Sequence, residues 1–112
     1  IFVDPESLVI VGIIDTERAL WGDPLLDIAG SDQFGIGEVN PDLLAGNFAA
    51  GGVLATELSS ADGPTRLALY RMYYALLLST EGTVRGYDPE GMAWFQTTSE
   101  ANLESALVSL GQ

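Results

Sequence analysis

The stretch Leu8–Gly30, LVIVGIIDTERALWGDPLLDIAG, decides how this chain is read. Its opening run, Leu8–Ile14, is apolar apart from one glycine, rich in β-branched residues, and ends at a carboxylate, Asp15. Such a run reads as a strand, and its near-continuous apolarity predicts cover on both faces. Upstream, Ile1–Val3 reads as the end of a partner strand. Asp4-Pro5-Glu6-Ser7 reads as the turn between them, because proline presets φ while aspartate and serine bond the local backbone. The pair forms a hairpin, and a chain that starts inside a strand is expected to be a piece of a larger domain. A strand tip followed by irregular chain is a common place for a catalytic or metal-binding acid, since the strand fixes it and the loop leaves room for ligand. On position alone, a capping role for nearby backbone N–H groups is equally open to Asp15.

Beyond the hairpin the pattern turns helical. Asp23 and Pro24 are an N-cap and N1 pair for a short helix through Ala29. Asn40-Pro41 repeats that signature for a helix over 41–50, with Leu44 and Phe48 on one face and Gly51-Gly52 as its stop. The strongest helix spans 64–81. Its heart, LALYRMYYALLL, is apolar nearly all round, which predicts a central buried helix with Tyr70, Tyr73 and Tyr74 packed in the core. Trp21 is expected to pack in core or loop. Asp88-Pro89 caps a last helical region reaching Leu110, with Met92, Phe95, Leu103, Ala106, Leu107 and Leu110 as its stripe. A capping box at Thr97 and Glu100 would divide that region in two. The expected class is mainly α (α+β), a short N-terminal hairpin followed by three to five helices that cover it, since two strands are not stable alone.

Composition narrows the chemistry. Of 112 residues, 47% are hydrophobic, enough for a packed core. Sixteen acids face four arginines and no lysine, a net charge of -12. That excludes binding through a phosphate backbone, which needs clustered basic residues. It suits cationic partners such as metal ions and polyamine-like molecules, or serves solubility alone. The absence of cysteine excludes disulfides and thiolate metal sites, and the absence of histidine removes the usual general base and zinc ligand. Chemistry here must run on carboxylates, hydroxyls, arginine or backbone. No apolar run approaches the ~20 residues of a membrane span and no signal-peptide pattern opens the chain, so a cytoplasmic setting with neither membrane nor nucleic-acid partner is expected.

The combination Ile14-Asp15, Gly22-Asp23-Pro24 and Asp27-Ile28-Ala29 resembles the segment after the catalytic loop in the aminoglycoside phosphotransferase family, closely over Gly12 to Ala29. LLAGNFAAGG and LALYRMYYALLL, with the EGTVRGY that follows, resemble less specifically the helices of bacterial members. The resemblance implies a protein-kinase-like fold in which the chain is the back part of the C-lobe, residues 1–20 a metal-site hairpin and 21–112 a helical subdomain. It implies that Asp15 binds the Mg²⁺ that bridges the phosphates of ATP, with Thr16 in place of the commoner aromatic. Asp27 would brace the catalytic loop, Asp23 remains a helix N-cap, and Glu17 is a candidate contact to metal or substrate. The catalytic residues would lie upstream of Ile1, in a His-x-Asp-x-x-x-x-Asn loop, and the nucleotide-binding N-lobe would also lie outside the chain. The implied acceptor is a hydroxyl of an aminoglycoside-like or other small, possibly cationic, molecule.

A different class competes. A non-catalytic helical module would bind a partner or self-associate through exposed strand edges, with Asp15 a structural cap. A hydrolase using Asp15 and Glu17 lacks a residue to orient its base.

Overall fold

In the computed structural model, residues 1–15 and 19–111 are described. The chain is mainly helical, with a two-stranded antiparallel hairpin, β1 (Phe2–Val3) and β2 (Ile10–Gly12), ahead of five helices. These are α1 (Leu25–Ser31), α2 (Pro41–Ala49), α3 (Leu54–Leu58), α4 (Gly63–Arg85) and α5 (Pro89–Ser109). Among the described residues, no helix is long and apolar enough to cross a membrane.

The turn forms where its residues predict. Asp4 Oδ1 accepts from the Glu6 and Ser7 backbone N–H groups and from Ser7 Oγ. The Ser7 N–H, above all, holds the Asp4 carboxyl below its ordinary value. Leu8 completes the turn with a left-handed φ of 57° and donates to Asp4 O at 2.9 Å. The strand is shorter than Leu8–Ile14, for local reasons. The turn consumes Leu8, the register slips between Phe2 and Val3, and β1 is too short to pair with Ile13 or Ile14.

The expected burial of this strand is overturned. Val9, Ile10, Val11, Ile13 and Ile14 are all exposed, and β1 and β2 pack against each other and against none of the helices. The helices pack on one another, and none of them packs on the sheet. Trp21, expected to pack, is fully exposed as well.

The core lies between α1, α3 and α4, where Leu25, Ile28, Ala29, Leu54, Leu67 and Tyr74 form one buried cluster. α4 also runs against α5 over most of its length. It is not buried all round: Leu69, Tyr73 and Leu76 face outward. It passes Glu81 and tolerates Gly82 within it, ending at Gly86, whose φ of 66° supplies the left-handed cap, with Tyr87 N–H donating to Gly82 O at 3.0 Å. Asn40 and Asp88 cap α2 and α5 through their side chains, as read from sequence. Phe48, however, is exposed while Leu44 reaches the core.

α5 is one helix. Glu100 accepts from Gln96 Nε2 at 3.0 Å, a pairing along the helix face, so the Thr97–Glu100 box does not form. α3 is an element the sequence patterns miss. Its first N–H, on Leu54, donates to Asn47 Oδ1, a cap supplied from the preceding helix.

α4 starts in a tight place. Gly63 is buried, and a Cβ there would run into the backbone carbonyls of Glu57 and Leu58. Those atoms belong to a helix end and cannot swing away. Gly63→Ala is expected to destabilise the protein by about 1–3 kcal/mol, as overpacking does, seen as a lower urea midpoint with an unchanged slope. An unchanged midpoint would show that the α3–α4 corner yields.

Candidate functional site

The hairpin delivers Asp15 to the rim of an open concavity of about 980 Å³. Ile13, Ile14 and Leu20 line it together with Asp27, Tyr74, Glu81 and Arg85 of the helical body. Asp15 is exposed, and its φ of 64° places a non-glycine residue in the left-handed region. That conformation costs energy for most side chains and is concentrated at functional positions. Among the described residues its carboxylate makes no hydrogen bond.

Asp27 lines the same concavity, on α1. The apolar neighbours Leu25 and Ile28 suggest burial, yet both turn inward and leave Asp27 exposed. Its carboxylate has no hydrogen-bond partner among the described residues. Asp32 and the Glu81–Arg85 pair, with Nε to Oε1 at 2.7 Å, complete the charged lining. Sequence reading did not single out these three. Glu17 lies outside the described residues.

Among the described residues, no group of three or more acids converges as a closed metal cage. Mg²⁺ does not require one: it usually takes one or two protein carboxylates and fills its remaining positions with water and phosphate oxygens. A single accessible carboxylate, three residues past the end of β2 and beside space for a ligand, fits that demand.

α1 starts one residue later than Asp23 as N-cap predicts, with Pro24 in the N-cap position, yet the Asp23 side chain still bonds the helix start. Its Oδ1 accepts from Leu25 N–H at 3.0 Å, the expected helix-start bond. Its Oδ2 accepts from Arg66 Nη1 at 2.6 Å and from the Tyr70 hydroxyl at 3.0 Å. Arg66 also donates through Nη2 to Glu57 Oε2 at 2.7 Å. Its Nε has no hydrogen bond, with Asp62 Oδ2 3.4 Å away, near enough for charge but not aligned for donation. One guanidinium thus ties the Gly22-Asp23-Pro24 loop, α3 and the start of α4 together, and fixes the chain that descends from the concavity.

Burial alone would raise the Asp23 pKa, but the Leu25 N–H, the Arg66 guanidinium and the Tyr70 hydroxyl outweigh it and hold the carboxyl below its ordinary value. Glu57, and then Asp23, raise Arg66 above its usual range. Burial, and then Asp23, raise the Tyr70 hydroxyl.

A depressed folded pKa contributes stability that is present above the unfolded value, about 3.9 for aspartate, and is lost as pH falls through the folded value. The wild-type urea midpoint is therefore expected to fall with acidification below about pH 4, and more steeply than that of Asp23→Asn. Parallel pH profiles would remove Asp23 from the acid response.

Comparison of the chain with protein-family models, with curated proteins and with solved structures finds no match.

Proposed function

We propose that this chain is the C-terminal part of the C-lobe of an ATP-dependent small-molecule phosphotransferase, in which Asp15 holds Mg²⁺ against the nucleotide phosphates. The carrying observation is Asp15 itself: a carboxylate with no hydrogen-bond partner among the described residues, in a left-handed backbone conformation, lining a large concavity. Bound Mg²⁺ would supply neutralisation of charge on the transferring phosphate, where such reactions need it most. The chain's own part is to present the Asp15 carboxylate from the hairpin and to brace the loop below it through Asp23, Arg66 and Tyr70. Asp27 and Asp32 place negative charge in the same lining, which suits a cationic hydroxyl-bearing acceptor such as an aminoglycoside. On this reading the catalytic base and the nucleotide-binding lobe lie upstream of Ile1, and turnover requires them.

Paramagnetic Mn²⁺ in place of Mg²⁺ tests the assignment on this chain directly. Added with ATP, it is expected to broaden the amide resonances around Asp15 first and those near Asp27 next, and to spare both in Asp15→Asn. Broadening spread evenly over the acidic surface would refute a specific site.

One observation favours a second reading, a partner-binding or self-associating module. The hairpin exposes Phe2, Val3, Val9, Ile10 and Val11, and neighbouring exposed apolar residues are the kind of surface that marks interaction sites. Sedimentation that is independent of concentration would argue against self-association.

A further inference from the structure

Away from the concavity, the face between α4 and α5 holds a second hollow of about 260 Å³, built around Arg71. Arg66 and Arg85 are each ion-paired, whereas Arg71 has no carboxylate within salt-bridge range among the described residues. Backbone holds it in place instead: Nη1 donates to Ile36 O at 3.2 Å and Nη2 to Gly37 O at 2.8 Å. Those bonds fix the plane of the guanidinium yet use only two of its five N–H donors. Burial lowers the Arg71 pKa, and the more distant Asp32 offsets this only in part. The charge is therefore partly desolvated without a full counter-charge.

Hydroxyls surround it. Thr65, near the start of α4, and Ser105 and Ser109, on α5, line the same hollow. Ser109 Oγ donates back to Ser105 O, whereas the hydroxyls of Thr65 and Ser105 make no hydrogen bond among the described residues. Leu58, Leu67, Ala68 and Ala106 make the floor apolar. The N-cap residue of α4, Asp62, makes no side-chain cap bond, and Pro64 and Thr65 of its first turn line the hollow.

We propose that this hollow binds a small organic monocarboxylate, its carboxylate on the free edge of Arg71 and the Thr65 and Ser105 hydroxyls, its short apolar body on the Leu58–Ala106 floor. A planar guanidinium with an unused edge matches a carboxylate in two parallel bonds. One fixed positive charge balances one negative charge. A phosphate dianion would leave charge uncompensated in a chain of net charge -12. The volume lies just below the ~300–1,000 Å³ typical of drug-sized ligands, which limits the occupant to a small molecule and leaves room for a short-chain acid. The site is separate from the Asp15 concavity and stands independently of the phosphotransferase reading.

Butyrate is the probe. Titration of ¹⁵N-labelled protein with sodium butyrate, against sodium chloride at matched ionic strength, is expected to give saturable amide shifts at Ile36, Gly37, Thr65, Arg71 and Ser105. Arg71→Gln is expected to abolish them. Because that change also releases the Ile36–Gly37 carbonyls, Ser105→Ala serves as a second variant that leaves those bonds in place. It is expected to weaken binding roughly tenfold, the loss of a hydrogen bond to a charged group. Shifts reproduced by chloride, unchanged in both variants, or saturating at lower concentration with inorganic phosphate than with butyrate would overturn the proposal.

Discussion

Asp15→Asn is expected, if the phosphotransferase reading proposed above holds, to lower metal-dependent phosphoryl transfer by a factor on the order of 10²–10³ or more, measured in a polypeptide that carries the catalytic loop this reading requires. The substitution is chosen to isolate charge. Asn is close in shape to Asp and is among the residues that tolerate φ > 0, so the 64° backbone of position 15 is retained. What disappears is the anionic oxygen that would ligate the cation. Because Asp15 is exposed and bonds to no described residue, the unfolding midpoint should stay within about 0.5 kcal/mol of wild type, as for other surface changes. Turnover of Mg²⁺–ATP with cationic hydroxyl compounds and a urea melt on the same preparation read the two quantities separately. A full-activity Asp15→Asn would remove the metal assignment. An inactive variant that had also lost stability would instead point to a structural strand-end role.

The same residue shows what a sequence can and cannot convey. The Leu8–Asp15 run marks a hairpin strand because hydrophobicity and turn residues act within a few positions, but the strand spans only Ile10–Gly12 and leaves Asp15 three residues past its end. Asn40 and Asp88 are legible for the same reason: a cap bonds two or three residues ahead, so its signal is local. Burial of the strand was misread because apolar sequence reports what a segment would bury, not whether anything in the chain covers it. α3 escaped notice because its cap comes from Asn47, seven residues upstream, and its five residues are too few to show periodicity. Asp27 was misjudged by its neighbours: on a helix, adjacent residues point in different directions, so Leu25 and Ile28 can be buried while Asp27 is wet.

The candidate site follows the same division. Asp15, Asp23 and Asp27 attract attention as acids in a short motif. The partners of Asp23 lie 43 and 47 residues away, at Arg66 and Tyr70, and no spacing rule joins residues so far apart. One signal was available: in a chain with four basic residues, an arginine at the head of an apolar helix must be paired or reach solvent. Arg66 is paired to acids, and Arg71 to backbone carbonyls, by the approach of loops that only the fold brings near.

Leu25→Ala carries the largest expected effect on stability. Leu25 is completely buried, in the first turn of α1, and packs in the cluster with Leu54, Leu67 and Tyr74. Truncation removes the transfer energy of the lost carbons and leaves a void that surrounding helices fill only in part, about 3 kcal/mol together. For a domain of this size that corresponds to a fall in Tm of roughly 10–20 °C. The consequence reaches the concavity, because Leu25 anchors the helix that carries Asp27 and directly follows the Asp23 brace. Loosening α1 should therefore weaken Mn²⁺–ATP broadening at Asp27 more than at Asp15, which the hairpin holds without touching α1. Equal loss at both positions would mean that hairpin and helical body act as one unit. A Tm within a few degrees of wild type would mean that neighbouring side chains refill the space, for which Leu26 and Leu58, half-buried beside the cluster, are the nearest candidates.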